Sequence, residues 1–187
     1  MVHSPEEDAY YRKFKSIPIT EPRCIDWKFF DHVGGGLADK IREYLDKMGL
    51  EKFANIEYGG YKLLCLEFLS TFNWNKNKNS VKCRLLGQEL EITLDVMEEV
   101  FDFPKCVSSD DNQFKDFNTK DELKELSGFD NWCSSGMSSE FIQDHALAVL
   151  HKLLSYSIVG KQRVTNVNTL EVYLFSSVKH GKGVCPL

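Results

Sequence analysis

The chain has 187 residues, of which 42% are apolar and 27% charged, with a formal net charge of −5. That length and balance fit one large domain, or one domain with a small appendage, and exclude wholesale disorder. No apolar run approaches the roughly 18 residues of a spanning helix, and the opening MVHSPEEDAYY lacks an apolar core, so neither a membrane span nor a secretory signal is expected.

The charge is unevenly placed. Residues 1–93 carry 14 basic and 14 acidic side chains, 94–144 carry 4 against 13, and 145–187 carry 5 against 1. An acidic centre with a mildly basic tail gives no broad footprint for a nucleic-acid backbone. The richest basic patch is Lys76, Lys78, Lys82 and Arg84, beside Trp74, with no acid between Phe68 and Gln88. Four charges there are a candidate phosphate contact, set against the plainer reading of a solvated Asn/Lys loop.

Along the chain, residues 1–26 are polar with prolines at 5, 18 and 22, and are expected to form an N-terminal arm. Trp27, Phe29 and Phe30 offer a first aromatic anchor. The run Gly34-Gly35-Gly36 lacks the spacing and Lys-Ser/Thr pair of a phosphate loop and reads as a hinge. Leu37, Ile41, Tyr44, Leu45 and Met48 recur at helical spacing up to Gly49, and Tyr61, Leu64, Cys65, Phe68, Leu69 and Phe72 do so again after Gly59-Gly60. Glu67 interrupts that second stripe and reads as a solvent-facing or paired carboxylate, since no nearby His or second acid gives it a catalytic task.

Residues 80–104 carry the most consistent local signals. Val81, Cys83 and Leu85 alternate with Lys82 and Arg84, a turn falls at Leu86-Gly87-Gln88, and Leu90 and Ile92 alternate with Glu89 and Glu91. Thr93 then caps a short helix with Val96, Met97, Val100 and Phe101, which Pro104 stops. Residues 105–118 read as a loop, and Asp110 and Asp111 lack the pattern of a calcium loop. Thr119 with Glu122 reads as a capping box for a helix ended by Gly128. Phe129 and Trp132 follow as aromatic anchors in the next connection and as a candidate protein interface, beside the exposed half of the 37–48 helix and the acidic loop 105–122. The longest helix is expected from about Ser139 to Val159, capped by Gly160, and a last one from near Asn168 with Glu171 in the capping-box position. The ending VCPL reads as a truncated or shortened copy.

No chemistry emerges from this order. The six cysteines, at 24, 65, 83, 106, 133 and 185, form no CxxC pair and read as reduced thiols of an intracellular protein, cytoplasmic or nuclear. His145 and His151 are six apart and share no helix face, so a zinc site is not expected. Scattered Ser, His and Asp residues offer neither a strained elbow nor a linked triad. Catalytic residues, cofactors and metals are all expected to be absent.

Two stretches, YGGYKLLCLEFLST at 58–71 and VKCRLLGQELEITLDVMEEVFDFP at 81–104, are similar to the open-reading-frame-1, Gag-like proteins of Athila-type plant retrotransposons. The resemblance continues through GFDNW at 128–132, AVLHKLLSYSIVGKQ at 148–162 and VNTLEVYLFSSV at 167–178, and so covers about 27–180. The hairpin-to-helix unit also resembles, more weakly, the plant mobile domain of certain transposons and nuclear silencing proteins. In place of the proline-bearing approach to the long helix stands SSGMSSEF, and the Cys/His knuckle that many Gag proteins append is missing.

The expected fold is mainly α with one small antiparallel hairpin at 81–92, in a domain over 27–180 with a short tail at 181–187. The resemblance implies a non-enzymatic assembly or interaction domain, open to reuse by a plant host, whose partner is another protein or a second copy. The alternatives are a chromatin- or nucleic-acid-associated module and an uncharacterised enzyme.

Overall fold

In the computed structural model, residues 3–18, 24–56, 61–103, 117–129, 136–158 and 164–181 are described. They are mainly helical, with small antiparallel sheets. The chain forms two compact units, one from residues 1–22 and 57–101, the other from 23–56 and 102–187.

The first unit begins with helix α1, Pro5–Lys15, inside the segment expected as an arm. Its start is well specified. Ser4 accepts the Glu7 N–H at 3.1 Å, Pro5 occupies the first turn where its missing donor costs nothing, and Glu6, Glu7 and Asp8 favour the helix N-terminus. α1 packs on α5, Lys62–Thr71, which in turn packs on strand β2. The sheet has the order β1 (Asn73–Asn75), β2 (Ser80–Leu85), β3 (Gln88–Ile92), all antiparallel. The β2–β3 register pairs Cys83 with Leu90 and Arg84 with Glu89, as the alternation predicts.

Strand β1 falls in the Asn/Lys-rich segment beside Trp74 that reads as a solvated loop: Trp74 pairs with Val81, so Asn73–Asn75 extends the sheet by an edge strand. Asparagines and lysines have low strand propensity, and pairing to a preformed hairpin overrides it. Helix α6, Leu94–Phe101, follows, with Thr93 accepting the Val96 N–H at 3.3 Å. It ends before the Phe103-Pro104 step, at Asp102, whose φ of 58° leaves the helical region. Pro104 lies outside the described residues.

In the second unit, α2 (Trp27–Val33) is capped by Asp26, and α3 (Leu37–Lys47) buries Ala38, Ile41, Tyr44 and Leu45. Trp27 donates to Asn55 at 2.6 Å, beyond α4 (Glu51–Ala54), and Arg42 lies 4.6 Å over its ring. Helix α7, Thr119–Ser127, is capped by Asn118 rather than Thr119. The Asn118 side chain accepts the Lys120 N–H, which makes Thr119 the first helical residue, and Gly128 closes the helix with a φ of 74°.

The long helix expected from Ser139 is shorter at its start. A 3₁₀ turn at Ser139–Phe141 comes first, and α8 spans His145–Ser157. Asp144 is the reason: its carboxylate accepts the N–H groups of Ala146 and Leu147 and so fixes the helix start. The expected Gly160 cap lies outside the described residues. Strands β4 (Met137–Ser138) and β5 (Asn166–Val167) pair before α9, Thr169–Lys179. That last helix opens with the expected capping box of Asn168 and Glu171. α3 packs on α8 and α9, and α7 on α9, around Leu45, Met48, Leu147, Leu150, Val172, Phe175 and Val178, all fully buried.

Candidate interaction surfaces

Of the four basic residues singled out between 76 and 84, Lys76, Lys78 and Lys82 are exposed and Arg84 is not. Arg84 is 2% exposed, and this corrects its place in the proposed phosphate contact. Its guanidinium donates to Glu7 Oε2 at 2.9 Å and to Glu67 Oε1 at 3.4 Å. A buried guanidinium must be paired to be tolerated, and here α1 and α5 each supply a carboxylate. Alternation alone placed Arg84 outside, because strand periodicity cannot see a helix laid over the nominally polar face.

Glu67 is the hub of this unit. Besides Arg84, it accepts the N–H groups of Leu86 at 2.8 Å and Gly87 at 3.0 Å, the two central residues of the hairpin turn. Both have positive φ, 53° and 77°, as a two-residue hairpin turn demands. Burial opposes ionisation of Glu67, but the Gly87 and Leu86 N–H groups and Arg84 outweigh it and hold the carboxyl below its usual range. Glu7 is lowered further, to about 2, chiefly by the Arg84 hydrogen bond and then by the His3 N–H.

In the second unit, Asp144 joins α8 to α3. It accepts the Tyr44 hydroxyl at 2.9 Å and pairs with Lys40 at 2.8 Å. Burial raises its pKa, yet Lys40 and Tyr44 pull it below the usual value. Glu122, Glu125 and His180 bring metal-capable ligand atoms within 4.8 Å of one another. These groups already have partners: Lys179 pairs with Glu125 at 2.8 Å, and the Ser176 hydroxyl donates to Glu122. The arrangement serves as an ion-pair clasp between α7 and α9.

His151, Ser155 and Glu171 also meet. The Ser155 hydroxyl donates to Glu171 Oε1 at 2.7 Å and stands 3.3 Å from His151 Nε2. The three residue types resemble a hydrolytic set, but all are fully buried, and Glu171 Oε2 also accepts the Asn168 N–H of the capping box. A nucleophile that donates its proton to a buried capping carboxylate, with no substrate access, is a core polar network.

Phe129 and Trp132 were the candidate protein interface. Phe129 is 55% exposed, and Trp132 lies outside the described residues. The partner of Phe129 is Phe141, 47% exposed, with ring centroids 5.1 Å apart and planes tilted by 56°. Phe129 and Gln143, two residues beyond Phe141, are held by hydrogen bonds to the end of α7. The Phe129 N–H donates to Ser127 Oγ at 3.1 Å, the Gln143 N–H to the Leu126 carbonyl at 3.1 Å, and Gln143 Nε2 to the Ser127 carbonyl at 3.1 Å. Phe141 falls inside the segment expected as the longest helix, from about Ser139 to Val159, and so on that helix's apolar stripe. The 3₁₀ turn that precedes α8 takes it out of that stripe and leaves it at the surface.

Among the described residues, no helix is long and apolar enough to cross a membrane. No curated protein and no solved structure matches the chain. A sequence model described as the ATHILA ORF-1 family does match, over residues 3–179, nearly the full length and including α1. The hairpin-to-helix segment and the helices that carried the resemblance all fall inside that span. This chain belongs to the ATHILA ORF-1 family.

Proposed function

We propose that the chain is a non-enzymatic interaction domain of retrotransposon Gag-like origin that associates with another protein, a second copy of itself first of all. Membership of the ATHILA ORF-1 family supports the Gag-like origin. The observation that carries the interaction is the Phe129–Phe141 pair, two large rings held exposed on a hydrogen-bonded frame. Rigid exposed aromatics are what protein interfaces concentrate their energy in, and solvating them otherwise gains nothing.

Reuse by a plant host is a further part of this reading, and so is an intracellular setting, cytoplasmic or nuclear. The free thiols of Cys24, Cys65 and Cys83 support the latter, since oxidising compartments favour paired cysteines. The non-enzymatic part is supported by the burial of the His151–Ser155–Glu171 group.

Size-exclusion chromatography with light scattering tests the association. A mass that rises with concentration above the 21.5 kDa of one chain supports it. A constant single-chain mass at high concentration would remove self-association.

A further inference from the structure

The three-stranded sheet of the first unit ends on β3, Gln88–Ile92, whose outer side pairs with no strand among the described residues. The phase of the ladder decides which backbone groups face outward. The two-residue turn at Leu86-Gly87 closes on a hydrogen-bonded pair, Leu85 and Gln88, so Cys83–Leu90 and Val81–Ile92 are hydrogen-bonded pairs as well. The Arg84 N–H agrees with this phase, because it points away from β3 and donates to Thr71 Oγ1 at 2.8 Å. The N–H and C=O groups of Glu89 and Glu91 therefore point out from the sheet. No backbone group among the described residues meets them, and Gln88, Glu89, Leu90 and Glu91 are all exposed.

An open edge accepts a further strand unless the sequence defends it. β1 is only three residues long and runs into Lys76. β3 has five residues, an unbroken register, no proline and no lysine. What it carries instead is negative charge. Glu89 and Glu91 share one face, while Leu90, 40% exposed, lies on the other with Cys83. From residue 88 to 101 the chain holds five acids and no lysine or arginine. Antiparallel pairing of this edge with the same edge of a second copy sets glutamate opposite glutamate, which repels.

We propose that β3 takes up an extended segment of a partner protein in which basic residues alternate with aliphatic ones, added antiparallel along its outer edge. The partner and the compact unit both differ from those of the Phe129–Phe141 pair, so the proposal does not rest on self-association.

The main chain supplies affinity, since the outward groups of Glu89 and Glu91 find the hydrogen bonds they lack. The side chains supply selectivity. Residues directly opposite share a face, so lysine or arginine meets Glu89 and Glu91, and an aliphatic residue lies beside Leu90. Two cations on β2 offset part of the acidity: Arg84 stands opposite Glu89, and Lys82 opposite Glu91. Arg84 is already committed to Glu7 and Glu67 and stays 3.8 Å from Glu89. Glu91 accepts the Ser80 hydroxyl at 2.8 Å, and that bond, followed by Lys78 and Lys82, holds its carboxyl below the usual range.

The test is fluorescence anisotropy on the full chain with a dye-labelled Lys-Val-Lys-Ile-Lys-Val peptide. Two comparison peptides are Glu-Val-Glu-Ile-Glu-Val and the block order Lys-Lys-Lys-Val-Val-Ile. The alternating lysine peptide should bind more tightly than the block peptide and weaken as salt rises, and the glutamate peptide should not bind. Two more peptides carry N-methyl groups, one on the lysine amides and one on the valine and isoleucine amides. In an antiparallel pair the lysine opposite a glutamate uses its own N–H, and the aliphatic amides face away. Methylated lysine amides should therefore weaken binding at least about tenfold, and methylated aliphatic amides less than about twofold. Glu89→Gln with Glu91→Gln should weaken it about 2- to 30-fold. Glu89→Pro removes an outward donor without removing a ladder bond, and should weaken it at least about threefold.

No binding of the alternating lysine peptide at low salt overturns the proposal. So does equal binding of the alternating and block peptides, which would be charge attraction without a strand. Should Glu89→Pro lose its far-ultraviolet dichroism, the methylated peptides decide alone on the wild-type chain: loss confined to the lysine amides supports the edge, and any other pattern refutes it.

Discussion

Replacing Glu67 by Gln should loosen the first unit more than any other single conservative change at its partly exposed carboxylates. The wild-type carboxylate accepts from Arg84 Nε at 3.4 Å, the Leu86 N–H at 2.8 Å and the Gly87 N–H at 3.0 Å. Glutamine keeps one acceptor oxygen and turns the other position into a donor, which then faces a donor. Arg84 keeps Glu7 at 2.9 Å and Glu89 at 3.8 Å but loses its carboxylate on α5 while remaining buried. Breaking a buried ion pair costs about 3–5 kcal/mol, and hydrogen bonds to a charged group about 1.5–3 each. The turn amides belong to exposed residues and regain water, which brings the expected loss to about 2–3 kcal/mol. With a urea dependence of about 2 kcal/mol/M, the midpoint falls by roughly 1–1.5 M. Hydrogen exchange read by mass spectrometry locates the effect: peptides over 61–92 should lose protection, and those over α8 and α9 should keep theirs. A midpoint shift below about 0.3 M, with unchanged exchange at Leu86 and Gly87, would refute the claim that Glu67 organises the hairpin.

Other outcomes follow from the same geometry. Leu86→Asn should stabilise the hairpin by about 0.5–1 kcal/mol in urea titrations, because asparagine accepts a positive φ that leucine resists. Asp144→Ala should cost about 2–3 kcal/mol in the same assay, as it removes the α8 cap and leaves the Tyr44 hydroxyl without its acceptor. Gly136→Ala should fold poorly, since a Cβ there would meet the Val167 carbonyl oxygen at 2.4 Å with φ at 92°, and a normal yield of thermally stable protein would contradict it. Acid sensitivity has a definite sign at Glu7, whose pKa drops from 4.5 to about 2 on folding. Its contribution is complete above 4.5 and fades as pH falls through 2, so Glu7→Gln should show a flatter loss of stability over that window than wild type.

The hairpin was readable because each of its residues obeyed the same two-residue period, and Thr93 and Asp95 agreed with the helix that follows. The α9 capping box was equally local: Asn168 and Glu171 are three apart and satisfy each other. What escaped was set by distant partners. Arg84 looked solvent-facing from its strand position, and its burial is explained only by partners on other elements, Glu7 of α1, 77 residues away, and Glu67 of α5, 17 residues away. Ser4-Pro5-Glu6-Glu7 is a sound helix start, and the prolines at 18 and 22 drew attention from it. At Ser139, apolar spacing suggested continuity, while the cap of Asp144 divided the segment and moved Phe141 to the surface. Phe129 was legible as an aromatic anchor, but its pairing with Phe141 depends on that break.

Self-association of the full chain is the central functional claim, and light scattering on wild type beside the Phe129→Ser, Phe141→Ser double variant tests it most directly. Both substitutions fall on exposed rings, so the fold should persist, with unchanged dichroism as the check. The account predicts that wild type gains mass with concentration and that the double variant needs at least about tenfold more protein to do so, the equivalent of about 1.4 kcal/mol. A wild-type protein that stays at 21.5 kDa at every concentration, or a double variant that associates as readily, would contradict it.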